Sequence, residues 1–271
     1  MGLRVTFVSG LRRSGKSAVI RTMIDHLWKT GPHYIRLVKS GGDKLPPKPL
    51  AKPPQDCGVA SARWVEYDAE HIFEVLHESL AAIHTNDRYG SVVIEADADP
   101  ALRCAFPYDH RVFVMPLPSR IDSVFRDPSR AADELQRVLD DTVAFASEIF
   151  GLFAQDGQDD AEPSEERAAL TDTQMRGFLY SPLGDELATR IQLQPPYHGL
   201  VESDVVIVNT AVGDAGGETK ECLRRIERLL SRIRGALGQR GELFHCDPRT
   251  PTGRDYRKLL KALRPMCQRG S

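Results

Sequence analysis

The stretch SGLRRSGKS, residues 9–17, decides how the rest of the chain is laid out. Gly10, Gly15, Lys16 and Ser17 fit the spacing G-x-x-x-x-G-K-[ST] without a mismatch. That spacing has a physical origin. The two glycines let the backbone curl until its N–H groups point into one cavity, where they can meet a β-phosphate. A helix beginning near Lys16 adds the positive end of its dipole. Lys16 sets an ammonium against the β- and γ-phosphates, and the Ser17 hydroxyl is suited to ligate Mg²⁺. The flanks agree. RVTFVS (4–9) is a short β-branched run, and Val19, Ile20, Met23, Ile24 and Leu27 recur at helical spacing until about Thr30, before Gly31 and Pro32. Strand, loop and helix predict a nucleotide cradle of Gly10, Leu11, Arg12, Arg13, Ser14, Gly15, Lys16, Ser17 and Ala18, with Lys16 as its catalytic cation.

A metal held by Ser17 calls for a carboxylate at the end of a neighbouring buried strand. SVVIEADADP (91–100) offers Glu95 directly after its apolar run, then Asp97 and Asp99. Glu95 is the expected second metal ligand. Asp97 is close enough to share that role, and it is the candidate catalytic carboxylate; it or Asp99 would orient an attacking water or an acceptor hydroxyl.

Further short apolar runs at 34–39, 63–67, 111–115, 204–208 and 242–245 read as strands, and helical patterns at 70–83, 219–237 and 253–263 separate several of them. Alternation of this kind predicts an α/β fold with a mostly parallel sheet covered on both faces. The chain reads as a single domain, 1–271, with an exposed Pro-rich loop at 41–58 and a helical, acidic insertion at about 119–190. Within the insertion, residues 119–153 look helical with a break near Asp127 and Pro128, the tract at 155–166 reads as solvated acid, and a helix is expected around 165–176.

Of 271 residues, 41% are apolar and 27% charged, with a formal net charge of −2, so there is no electrostatic case for nucleic acid or an anionic membrane. The five cysteines, Cys57, Cys104, Cys222, Cys246 and Cys267, lie far apart with no CxxC pair, as expected for reduced thiols in a cytoplasmic protein. The N-terminus lacks the apolar core of a signal peptide, and no later run reaches membrane-spanning length.

Three segments carry a resemblance to a known family. VSGLRRSGKSAVIRTMIDHLWKTG (8–31), YIRLVKS (34–40) with its terminal Lys39, and SVVIEADADP (91–100) resemble the P-loop NTPases. Among these, the chain looks most similar to the accessory nucleotide-binding protein of molybdopterin-guanine dinucleotide synthesis, and more distantly to dethiobiotin synthetase. The resemblance implies a three-layer P-loop NTPase fold, Mg²⁺ and a nucleoside triphosphate. It covers about the first hundred residues. Where a guanine-specific NKxD would stand, the chain has Asn209 followed by Thr-Ala-Val212. The missing Lys and Asp favour ATP over GTP, and the resemblance leaves Asn209 either hydrogen-bonding a purine edge or forming a turn. Leu11 stands where the dimeric ATPases of the deviant Walker type carry a lysine.

Other residues are weaker candidates. Arg12 and Arg13 either stabilise a transferring phosphoryl group, within the chain or across a homodimer, or point to solvent; the outward orientation is expected. Arg120, Arg126 and Arg130 could close over phosphates as in a kinase lid, or be solvated helix charges. Lys39, Lys44 and Lys48 could engage an acidic substrate, or be loop lysines. His198 is a candidate general base on a loop. The expected activity is Mg²⁺-dependent binding and hydrolysis of a nucleoside triphosphate. The alternatives are a small-molecule kinase or ATP-dependent ligase, and a nucleotide-regulated switch with slow turnover. The acceptor, small molecule or protein, is not specified.

Overall fold

The computed structural model describes residues 2–29, 31–40, 58–68, 70–99, 102, 108–155, 182–213, 215–237, 242–250 and 253–267. The expected loop at 41–57, the acidic tract beyond Gln155, the helix at 165–176, and Lys44, Lys48, Cys57 and Cys104 lie outside them.

Seven strands form one sheet: β1 (Arg4–Gly10), β2 (His33–Lys39), β3 (Ser61–Tyr67), β4 (Ser91–Glu95), β5 (His110–Pro116), β6 (Val205–Asn209) and β7 (Glu242–Cys246). Their order across the sheet is β3-β2-β4-β1-β5-β6-β7, and every pairing is parallel. Parallel strands need crossovers, and described helices supply those from β1 to β2, β3 to β4, β5 to β6 and β6 to β7, with one more helix after β7. The helices are α1 (Lys16–His26), α2 (Ile72–Asn86), α3 (Ile121–Val124), α4 (Pro128–Gln155), α5 (Pro182–Ile191), α6 (Gly199–Glu202), α7 (Thr219–Leu237) and α8 (Arg254–Leu263).

The helices bury the sheet from both sides, which gives three layers. On one face, Val19, Ile20, Met23 and Ile24 of α1 and Leu259 and Leu263 of α8 pack on Val8, Val93, Val114 and Ile207. On the other, Ile72, Leu76, Leu80 and Ile83 of α2 cover Phe7, Ile35 and Ile94. Beside them, Cys222, Ile226 and Leu230 of α7 cover Phe113, Met115 and Val206. Strands buried on both faces explain the unbroken apolar runs VVI and VVIV. The sheet order puts β1 between β4 and β5, so the phosphate-loop strand and the acid-bearing strand are neighbours. The arrangement is a three-layer α/β fold, as the alternation of strands and helices predicts, and the parallelism is complete among the described strands rather than partial.

Two of the boundaries that differ from the sequence pattern have a visible cause. Helix α1 ends at His26 instead of running toward Thr30, because Leu27 and Trp28 both donate their N–H to the Met23 carbonyl and turn Trp28 into the core. Helix α2 begins at Ile72, since Asp68 Oδ1 accepts the N–H groups of Glu70 and His71 and delays the helix.

The break expected near Pro128 is present, with Asp127 Oδ1 accepting from Ser129 N at the start of α4. The excursion that carries α4 and α5 is closed at its base by an antiparallel bridge between Phe125 and Leu193, where Arg126 N donates to Gln192 O and Gln194 N to Val124 O. Among the described cysteines, Cys222, Cys246 and Cys267 are free and buried, and burial pushes the thiols of Cys222 and Cys246 up to about 11. Among the described residues, no helix is long and apolar enough to cross a membrane.

Candidate functional site: the phosphate loop and its carboxylates

The loop leaves β1 at Gly10 and enters α1 at Lys16. Its two glycines are required by close approach as well as by backbone angle. Gly10 has φ 150°, and a Cβ there would lie 1.9 Å from the Val114 carbonyl oxygen of β5. Gly15 has φ 99°, and a Cβ there would lie 2.2 Å from Asn209 Nδ2. No other side chain fits either position. Inside the loop, Leu11 N donates to Val114 O and Ser14 N to Leu11 O. Ala18 N and Val19 N already donate to Gly15 O, so the N–H groups of Lys16 and Ser17, ahead of that ladder, are the ones at the mouth of the loop.

Lys16 is buried and folded across this mouth. Its Nζ donates to Leu11 O at 2.7 Å, to Gly10 O at 3.3 Å and to Asp97 Oδ1 at 2.7 Å. Ser17 Oγ donates to Glu95 Oε1 at 2.7 Å. The sheet register explains the second contact. Val8 pairs with Glu95, so the acid at the end of β4 stands beside the strand that launches the loop. Lys16, Ser17, Glu95 and Asp97 are therefore assembled at the carboxyl ends of β1 and β4.

Glu95 has further partners that the sequence pattern did not reveal. Tyr34 OH donates to Glu95 Oε2 at 2.5 Å, and Arg36 Nη1 stands 3.6 Å from Oε1. Arg36 in turn lies over the Trp64 ring at 5.0 Å. All three come from β2 and β3, where Arg36 pairs in register with both Glu95 and Trp64. Burial, reinforced by the Glu95 charge, raises the Tyr34 phenol far above its ordinary range, so it stays a hydrogen-bond donor.

Several expected residues have other tasks. Asn209, expected either at a purine edge or in a turn, is fully buried: its Nδ2 donates to Ser14 O at 3.0 Å, and its Oδ1 accepts from Ala211 N at 3.0 Å, the side-chain contact of a turn. It braces the loop from behind. Asp99 is tied to Lys39 at 2.9 Å and to the Tyr67 hydroxyl at 3.1 Å, so it stands apart from Lys16. Arg12 and Arg13 are both exposed, and Arg13 holds φ 60°, a region uncommon for a residue with a side chain. Arg120 pairs with Asp122, while Arg126 and Arg130 line a separate groove with Asp127, Asp133 and Glu134. His198 lines a small cavity beside Phe7 and Phe113, its Nε2 3.3 Å from Leu193 O.

A larger groove, of about 570 Å³, starts at Ser17 and Ala18. It runs along Arg21, Thr22 and His26 of α1 toward Pro248, Arg249 and Tyr256. Thr22 Oγ1 ties the two walls by donating to Pro248 O at 2.6 Å.

The donor set suits Mg²⁺: Ser17 Oγ and Glu95 Oε1 are hard oxygen ligands already within hydrogen-bond distance of each other. The glycine cradle, which any Cβ would fill, suits a phosphate chain.

No protein-family model and no curated protein matches the chain. Solved structures do. The chain is similar to HypB from Helicobacter pylori, solved in complex with nickel, over 97% of its own length and 85% of that chain, at 11% identity and TM-score 0.42. It is also similar to the hydrogenase maturation factor HypB from Archaeoglobus fulgidus, over 98% of its length and 91% of that chain, at 13% identity and TM-score 0.45.

Proposed function

We propose that this chain binds a nucleoside triphosphate with Mg²⁺ and cleaves its β–γ bond. The observation that carries this reading is the convergence of Lys16, Ser17, Glu95 and Asp97 at one loop mouth. The N–H groups at the start of α1, from Lys16 and Ser17, would cradle the β-phosphate. Ser17 and Glu95 would hold Mg²⁺, which when bound neutralises charge on the β- and γ-oxygens. Lys16 exchanges the Gly10 and Leu11 carbonyls for phosphate oxygens and stabilises charge that builds on the bridge. Asp97, released from Lys16 by that exchange, is free to orient the attacking water.

ATP is the proposed nucleotide, since the chain lacks the Lys and Asp of a guanine-reading NKxD after Asn209. The groove from Ser17 to Arg249 has room for the nucleoside. The resemblance of residues 8–31, 34–40 and 91–100 supports a place near the molybdopterin-guanine dinucleotide accessory proteins and dethiobiotin synthetases. The candidate catalytic carboxylate and cation are paired with each other at 2.7 Å, and Asp97, on the solvent side of that pair, gives Lys16 up when phosphate enters.

The test is equilibrium binding of ATP and GTP with and without Mg²⁺, together with phosphate release. Wild type should bind ATP more tightly than GTP and release phosphate. Lys16→Ala should lower turnover about 100- to 1,000-fold. Unchanged ATP affinity and turnover in that variant would falsify the reading.

A further inference from the structure

Glu95 is the most constrained carboxylate at the site, with its side chain only 2% exposed, and its two oxygens have different partners. Oε1 faces the loop, where it accepts from Ser17 Oγ at 2.7 Å. Oε2 faces the opposite way and accepts from Tyr34 OH at 2.5 Å. A free carboxylate can rotate and offer either oxygen, or both, to a cation. This one is pinned by a buried phenol, so Oε1 alone is presented to the Ser17 side. Arg36 is anchored by stacking over Trp64 and holds its guanidinium 3.6 Å from that same oxygen. Near Oε1 there is thus a resident positive charge that a divalent cation has to work against. The two side chains come from one strand, β2, and act on the acid in opposite senses.

We infer that Tyr34 and Arg36 are positioning residues that together set the Mg²⁺ affinity of the Glu95–Ser17 pair, Tyr34 strengthening it by fixing the carboxylate and Arg36 weakening it by supplying a competing charge. The inference rests on the Mg²⁺-nucleotide reading above and adds to it a tuning of the metal site from β2. Partners that orient a metal-binding carboxylate ordinarily matter at the level of roughly 10- to 100-fold in metal affinity. Arg36 is partly exposed, with 23% of its side chain accessible, so its competing effect is partly screened.

The experiment uses the full chain, stripped of metal with EDTA, and a fluorescent non-hydrolysable ATP analogue titrated with Mg²⁺. Tyr34→Phe should raise the Mg²⁺ concentration at half-maximal enhancement about tenfold, with analogue affinity in EDTA unchanged. Arg36→Gln should lower the same midpoint severalfold. Thermal melting checks that both variants fold. A merely structural role would move the two midpoints together or not at all, and either result overturns the inference while leaving the nucleotide reading intact. The Arg36→Gln arm stands alone: a midpoint that rises or stays in place overturns the inference even where Tyr34→Phe does not fold. A wild type that binds no analogue at any Mg²⁺ concentration overturns the nucleotide reading, and this inference with it.

Discussion

Glu95 and Asp97 are two residues apart and each holds one side chain of the phosphate loop, but their surroundings are opposite. The Glu95 side chain is 2% exposed and is met by Ser17, Tyr34 and Arg36. Asp97 is 60% exposed and holds Lys16 from the solvent side. A buried carboxylate with several donors is fixed by the cost of leaving any of them unpaired. An exposed one exchanges its partner for water at little cost. The loop is therefore anchored on its serine side and releasable on its lysine side, which is the division a metal ligand and a base require.

That contrast can be broken most forcefully at Glu95. Glu95→Ala strands the Tyr34 hydroxyl in the core and removes the partner of Arg36. We expect it to lower the unfolding free energy by about 2–3 kcal/mol, measured by urea denaturation. A change below about 0.5 kcal/mol would show that the pairs around Glu95 are as replaceable as a surface contact.

The next effect tests whether anchoring extends behind the loop. Asn209→Ala removes the amide that holds Ser14 O, and should cost about 1–2 kcal/mol while weakening ATP binding through a loosened loop. Equal loss of stability with ATP affinity untouched would confine Asn209 to the fold.

The smallest effect belongs to the releasable side. Asp97→Asn keeps an acceptor for the buried Lys16 ammonium but removes its counter-charge, and should cost about 0.5–1 kcal/mol, less than Glu95→Ala. ATP affinity should hold or rise, because Lys16 no longer has a competing anion, and phosphate release should fall. A drop in stability comparable to that of Glu95→Ala would erase the distinction between the two acids.

The strand–loop–helix unit was legible because its information is contiguous: the apolar run, glycine spacing and helical period lie within one stretch of chain. Glu95 was legible for a similar reason, as the first acid after an unbroken apolar strand. Helix α7 was bounded to the residue by its amphipathic pattern. Tyr34, Arg36 and Trp64 were not legible, since their meeting with Glu95 depends on β2 lying between β3 and β4 in a given register. Nothing local encodes that neighbourhood. Asn209 was noticed but left between a purine edge and a turn: the turn contact to Ala211 is local, while the partner it braces, Ser14, is 195 residues away. The same limit applies to Asp99, whose ties to Lys39 and Tyr67 appear only once three strand ends are side by side.

The bridge between Phe125 and Leu193 has a consequence for how the chain can vary. It fixes the two ends of the 127–191 excursion beside each other, independently of what lies between. Once the ends are joined, each doubling of the enclosed length adds only about 0.6 kcal/mol of closure entropy. The far part of the excursion can therefore change in length at little cost to the sheet, while its base is held by packing: Ala131, Thr189 and Ile191 are buried, and Arg190 pairs with Glu202 at 2.7 Å.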